Sequence, residues 1–323
     1  MKAVVYTKYG PPEVLHLEDI DKPAPQNDEV LIRIAATTAT SGDWRARSLI
    51  IPRGFGFISR LVFGYSKPKK PVLGSEFAGK IEAVGKDVTR FDVGDLVFGN
   101  TELAGGCYAE YTCISQDSTI ALKPENLTLN ESAALTFGGG TALKYFAKAK
   151  LQQGDKVLIN GASGAVGTAA IQIAKHFGAE VTGVCSGANA EMVRSLGANH
   201  VIDYTTTDFT QNGETYDIIM DNVGTAPYSR SKRSLKKGGR LIMVLGTLAE
   251  LLKIPWVSLT SNKKLLGGPV ISNAEDIEAL RKLAVDGEYK PFIERTYPLE
   301  EIVEAHRHVD TGRKRGNVVI TIG

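Results

Sequence analysis

The chain has 323 residues, 43% hydrophobic and 23% charged, with 38 Lys and Arg against 36 Asp and Glu. That length favours two domains with ample apolar content for buried cores, and the scattered, nearly balanced charges argue against nucleic-acid binding or a membrane surface. No apolar run is long enough for a membrane span, the opening MKAVVYTKYG alternates like a strand rather than a signal peptide, and Cys107, Cys113 and Cys185 are too few for a disulfide framework, so a reducing, cytoplasmic setting is expected.

In chain order, residues 1–122 carry short alternating strands broken by Gly and Pro, at 3–6, 29–36, 78–84, 96–99 and 108–114. Helical periodicity is nearly absent, which predicts an antiparallel, barrel-like β domain. Within it, residues 50–65 (IIPRGFGFISRLVFGY) concentrate three phenylalanines, a tyrosine and three glycines. They read either as an apolar lid over a cleft or as a plain packing helix at 57–63. The pattern changes near 123–130 (KPENLTLN). From there helices at 131–148, 166–177, 190–196 and 228–235 alternate with strands at 156–160, 180–185, 200–203, 217–222 and 240–245, which predicts a doubly wound parallel sheet. The tail adds helices at 274–286 and 299–311 and a closing strand at 317–322. The expected division is 1–122 with 265–323 as one discontinuous domain, and 123–264 as the other.

The most informative stretch is KVLINGASGAVG at 156–167, an apolar strand running into a glycine-spaced turn and an alanine-rich helix that ends at Gly178. A dinucleotide site needs a tight turn, then a residue without a side chain beside the pyrophosphate, then a small residue where helix packs on strand. Gly164 and Gly167 fill the second and third roles, while Ala162 replaces the usual first glycine with Gly161 just before it. Ala162, Ser163, Gly164, Ala165, Val166 and Gly167 are therefore expected to cradle phosphates at the helix N-terminus.

Together with LGSEFAGKIEAVGKDVTRFDVGDLVFG (73–99), GGCYAEYTCI (105–114), ESAALTFGGGTAL (131–143), SLGANHVIDY (195–204) and TGRKRGNVVI (311–320), this turn resembles the medium-chain dehydrogenase/reductase superfamily, in its zinc-independent, quinone-oxidoreductase-like (zeta-crystallin-like) branch. The resemblance implies an α/β chain with a GroES-like β-barrel catalytic domain, a doubly wound Rossmann domain, and a cleft binding a nicotinamide cofactor and substrate. It also suggests a homodimer. Zinc-dependent relatives place a cysteine near the Asp-containing segment of the first domain and a Gly-His-Glu motif further on. Here 37–43 reads TTATSGD and 74–76 reads GSE, so both soft ligands are missing and no metal is expected. His306 and His308, two apart on a helix, point to different faces.

The second Rossmann strand ends at Cys185 and is followed by Ser186, where NAD enzymes carry an acid for the ribose hydroxyl. With no acid at that position NADPH is preferred over NADH; the plain alternative makes Ser186 a helix cap. By resemblance Tyr204 touches the same phosphate, and Thr141 lies beside the nicotinamide. Asn222, Val223 and Gly224, and Leu245 and Gly246, follow strand ends where open α/β sheets bind ligands. Gly268 and Val270 close over the ring, and Asn317 stands where relatives carry lysine.

For catalysis the candidates are Thr40 and Asp43, on a segment where relatives carry Asn-Pro-x-Asp, and Tyr65 as a proton donor. An apolar lid would imply an apolar electrophile: a quinone, an alkenal or another α,β-unsaturated carbonyl. The expected activity is NADPH-dependent hydride transfer to such a compound. The alternatives are an NADPH-binding regulatory protein with little turnover, and a zinc-free alcohol dehydrogenase or enoyl reductase.

Overall fold

A computed structural model describes residues 1–323. Its contacts divide the chain into two compact units, one made of Met1–Ile51, Gly56–Gly140 and Ile271–Gly323, the other of Pro52–Phe55 and Thr141–Val270. The division falls inside helix Thr136–Ala149 and beyond strand Lys264–Gly267, whereas the sequence reading put it at 122/123 and 264/265. Two local facts account for the difference. The first turns of the helix are held by Glu76 and by the close approach of Gly139 to Tyr289 and Leu280, while Lys264–Gly267 pairs in parallel with Leu235–Met243.

The second unit is built on a six-stranded, all-parallel sheet in the spatial order His200–Asp203, Glu180–Cys185, Lys156–Asn160, Tyr216–Asp221, Leu235–Met243 and Lys264–Gly267. Its inner strands are almost continuously buried, as strands covered by helices on both faces must be. The chain leaves Lys156–Asn160 in one direction and returns to its other side with Tyr216–Asp221, creating a topological switch point between these two strands. Helix Tyr228–Ser231 is shorter than the expected 228–235, because Leu235 already pairs with Tyr216 and a bulge carries Lys236–Gly239 past the neighbouring strand.

The first unit is organised by a seven-stranded sheet. Ile293–Pro298, Asn317–Thr321, Glu29–Thr38, Glu76–Val84, Leu96–Asn100 and Ile120–Leu122 lie in that order, with Tyr111–Ser115 also paired to Glu29–Thr38. All pairings are antiparallel except Ile293–Pro298 with Asn317–Thr321. The core gathers Val30, Ile32, Phe77, Ile81, Val97 and Ile120 with Leu299, Ile302 and Val309 from the C-terminal helix region. Two helices interrupt this β unit. Ser41–Ser48 has little apolar periodicity and starts from a Thr40/Asp43 capping box. Gly56–Phe63 matches the packing-helix alternative in extent but leaves most of its apolar side chains exposed.

Candidate active site

The glycine turn sits at the carboxyl end of the central parallel strand. Gly161 adopts φ +79°, a left-handed conformation that relieves position 162 of the strained role, so Ala162 is accommodated there and packs, fully buried, toward Gly183. A Cβ on Gly167 would lie 2.2 Å from the Gly161 carbonyl oxygen and 2.7 Å from Ala162 backbone atoms, so helix and turn approach as only glycine allows. At Gly164 the added Cβ would meet nothing closer than 3.8 Å. Helix Ala165–His176 starts from Gly164 without a side-chain cap, leaving the first-turn N–H groups of Ala165, Val166 and Gly167 for an anion. Open space faced by uncapped N–H donors fits a pyrophosphate.

Across the switch point Asp221 organises the next loop. Its buried carboxylate accepts hydrogen bonds from Asn160 Nδ2 (2.9 Å) and the backbone N–H groups of Val223 (3.2 Å), Gly224 (3.0 Å) and Ala226 (2.8 Å). Asn160 Nδ2 also donates to Thr225 Oγ1 at 2.9 Å. Asn222, fixed between these groups, has both amide atoms buried without a protein partner. An unpartnered buried amide is costly unless a ligand or water completes it, which marks this strand end as a place for a polar ligand. Leu245 and Gly246 follow the carboxyl end of the adjacent strand, and Gly268 follows the one beyond, its carbonyl accepting from Tyr145 Oη at 2.6 Å. Val270 closes that segment, and Thr141 lies half-buried within helix Thr136–Ala149.

At the other end of the glycine unit, the Ser186 hydroxyl accepts from Asn189 Nδ2 at 3.2 Å and caps no backbone N–H. Tyr204 is exposed, its N–H bound to the Cys185 carbonyl. This loop does hold a carboxylate, contrary to the reading of position 186 alone. Asp203 is in register with Cys185 on the neighbouring strand, and Asp203 Oδ2 would be 2.5 Å from a Cβ on Gly187. The Thr205 hydroxyl and N–H, with the Gly187 N–H, hold the Asp203 carboxyl below its usual range and keep it charged.

The first unit contains a cavity of about 360 Å³, a volume suited to a small organic ligand. Ile51, Val62, Phe63, Val72, Leu73 and Phe137 make its wall predominantly apolar. Thr40 and Asp43 also line it, but their polar atoms are engaged. Thr40 Oγ1 donates to Asp43 Oδ2 (2.6 Å) while accepting from the N–H groups of Gly42 and Asp43, and Gly74 N–H donates to Asp43 Oδ1 at 3.1 Å. Burial pushes the Asp43 carboxyl upward, opposed by the hydrogen bonds from Thr40, Gly74 and Tyr108. Tyr65 is 74% exposed and does not line the cavity, so it is not placed as a proton donor there. Asn317, in the antiparallel unit, is buried, and its Nδ2 donates to the Phe292 carbonyl at 3.1 Å.

Residues 26–125 match the family model for the alcohol dehydrogenase GroES-like domain, and 196–320 match that for zinc-binding dehydrogenases. The chain is 32% identical to a 2-methylene-furan-3-one reductase of Solanum lycopersicum, over 99% of this chain and 79% of the relative. It is 32% identical to a quinone oxidoreductase of Homo sapiens, over 97% and 94% of the two chains. The solved quinone oxidoreductase of Coxiella burnetii superposes with a TM-score of 0.88 at 32% identity, covering 100% of this chain and 99% of that one. The chain belongs to the medium-chain dehydrogenase/reductase superfamily.

One of the two matching family models is described as zinc-binding, so the donor set decides whether this member's residues fit the ion. No group of three or more His, Cys, Asp or Glu side chains is placed to hold a metal. Ser75 stands where the motif has its histidine, and the neighbouring Glu76 is fully buried and accepts from Thr38 Oγ1, Thr136 Oγ1 (2.7 Å) and Phe137 N–H (2.5 Å). It acts as an external cap for helix Thr136–Ala149. Burial raises the Cys107 thiol to about 12, far from a thiolate ligand. These residues do not fit a zinc site, and no step is routed through one.

Several residues that shape this dehydrogenase/reductase site carry no local sequence signal. Tyr108 Oη lies 3.0 Å from His306 Nε2 across 198 residues and also reaches Asp43. Burial, helped by the nearby Arg47 charge, pushes the His306 pKa down to about 3, so the ring is neutral. Arg47, with a fully buried side chain, uses Nη2 in a bidentate pairing with Asp310 at 2.8 and 2.6 Å. The Asn160–Asp221 pair is likewise visible only once the two strands lie side by side.

Proposed function

We propose that this chain is an NADPH-dependent reductase of quinones, alkenals or related activated carbonyls. The observation that carries the reading is the pair of complementary surfaces in one chain. One offers uncapped N–H groups and an unpartnered amide to a dinucleotide; the other is a predominantly apolar cavity at which Thr40 and Asp43 are bonded to each other. When bound, the cofactor supplies a hydride, and water supplies the accompanying proton. Ala165, Val166 and Gly167 hold the diphosphate at the helix end, and Asn222 completes its amide bonds on the nucleotide. Thr40 and Asp43 act as positioning residues, keeping the 40–48 segment rigid against the cavity. The apolar wall excludes water and selects apolar electrophiles.

Ser186 and Tyr204 support NADPH, as does 29% identity to an NADPH-dependent alkenal/one oxidoreductase of Arabidopsis thaliana. Asp203 works against a 2′-phosphate. Fluorescence titration with NADPH and NADH decides between them: tighter NADPH binding is expected. The reading also includes a homodimer formed at the unpaired edge of strand Lys264–Gly267 and a cytoplasmic setting suited to three free thiols. Steady NADPH oxidation by phenanthrenequinone or an alkenal is the expected result. Inertness across a panel of quinones, alkenals and enones, with NADPH binding intact, would overturn the enzyme reading in favour of a binding protein.

A further inference from the structure

The even charge balance of the chain conceals one one-sided stretch. From Trp44 to Ser75 there is no Asp or Glu, while Arg45, Arg47, Arg53, Arg60, Lys67, Lys69 and Lys70 all fall within it. The two-turn helix Gly56–Phe63 at its centre is turned the opposite way from an ordinary surface helix. Ser59 is buried beneath it, whereas Phe57 is 71%, Leu61 60% and Tyr65 74% exposed, with Ile58 and Val62 also exposed. Positions 57, 58, 61 and 62 follow i, i+1, i+4 and i+5 spacing, so these side chains form one outward face, and the exposed Tyr65 follows just beyond the helix end.

This face is held rigidly. Phe63 packs against the antiparallel core with Trp44 and Tyr9, Tyr9 Oη donates to the Gly64 carbonyl at 2.9 Å, and Lys69 N–H donates to the Phe63 carbonyl at 2.8 Å. Arg60, Lys67, Lys69 and Lys70 are exposed around it, and Arg60 lies over the Tyr65 ring. An exposed apolar face flanked by the exposed cations Arg60, Lys67, Lys69 and Lys70 suits an interface that is apolar inside and negative outside. A second copy docking on the same face would bring like charges together, which disfavours self-association there.

We infer that the Gly56–Phe63 helix and its basic rim dock this chain reversibly on an anionic phospholipid bilayer. Shallow insertion of Phe57, Leu61 and Tyr65 and attraction of the basic rim supply the two signals such adsorption needs. Val62 and Phe63 also belong to the cavity wall, so the docked face adjoins the cavity and apolar compounds dissolved in the bilayer lie near it. The docking itself is independent of any turnover.

The test is co-sedimentation of the intact protein with vesicles of phosphatidylcholine alone or containing about 30 mol % phosphatidylserine. Binding only to the anionic vesicles, weakened by added salt, is expected. The double variant Phe57→Asp/Leu61→Asp should reduce partitioning by about tenfold or more, and Lys67→Glu by a smaller factor, with circular dichroism confirming that each variant folds. The inference is overturned by failure to bind anionic vesicles, by equal binding to neutral ones, or by undiminished binding of folded Phe57→Asp/Leu61→Asp. Vesicle-free self-association lost in that variant would instead assign the face to a second copy.

Discussion

In the parallel-sheet unit, Asn222 keeps both atoms of a buried amide unpartnered, and the helix at Ala165 begins without a side-chain cap. In the antiparallel unit, Asp43 and Glu76 are equally buried, yet hydroxyl and N–H donors surround each of them. The parallel-sheet unit thus leaves an amide at a strand end for a ligand to complete, while the antiparallel unit ties up Asp43 at its cavity and presents apolar wall, its own unpartnered atoms belonging to Arg47 and His306, which do not line that cavity. A polar dinucleotide and an apolar electrophile need opposite surroundings, and the two units divide that task.

The contrast breaks most visibly where burial leaves a charge dependent on one partner. Asp310→Ala strands the Arg47 guanidinium and should cost about 3–5 kcal/mol in urea unfolding, while leaving nucleotide affinity unchanged. A loss of nucleotide binding in the folded variant would mean that the units are not independent in this respect.

His306 makes the antiparallel unit sensitive to acid. Its folded pKa of about 3 lies below the unfolded value of 6.5, so the unfolded chain binds the extra proton between those limits. Stability is complete above pH 6.5 and falls as pH drops toward 3, by up to about 4–5 kcal/mol. The buried carboxyls of Asp43 and Glu76, raised by desolvation, oppose this by relieving a charge penalty on acidification. Thermal unfolding of His306→Gln should show a shallower decline between neutrality and mild acid than the parent protein. Parallel curves would remove His306 from the account.

Smaller effects probe the parallel-sheet unit. Gly167→Ala forces a Cβ into backbone and should destabilise by about 1–3 kcal/mol while weakening NADPH binding. Asn222→Ala should weaken NADPH by about tenfold, or 1.4 kcal/mol, with stability unchanged, because no protein group loses a partner. A marked fall in its Tm would show that the amide serves the fold instead. Asp203→Asn should improve NADPH relative to NADH by severalfold in the fluorescence titration; an unchanged ratio would clear Asp203 of any part in selectivity.

How much of this was legible in the sequence follows from how local each feature is. Strand 156–160, the glycine turn and the following helix were readable because their signals lie within one short window. Strand Lys264–Gly267 is only four residues long, Leu235–Met243 contains a Gly-Gly pair that reads as a turn, and Ile293–Pro298 is exposed or half-buried without regular alternation. Their strand character comes from partners elsewhere in the chain. Helix Ser41–Ser48 gives no periodic signal in the sequence because a capping box, rather than apolar periodicity, defines it. The same distinction separates the phosphate cradle, expected from spacing, from the Tyr108–His306 contact and the approach of Asp203 to Gly187, which only folding creates. Tyr65 lies outside the cavity lining although Phe63 belongs to it, because proximity in sequence says nothing about which side of the Gly64 turn faces the cavity.

Asp221 has a consequence for the thermodynamics of ligand capture. By gathering three backbone N–H groups and the Asn160 amide, it gives residues 222–226 one shape before any ligand arrives. The conformational entropy of that loop is lost during folding rather than at binding. Nucleotide association should therefore be rapid and nearly free of disorder-to-order signatures, with the heat-capacity change set by the surface covered rather than by loop ordering.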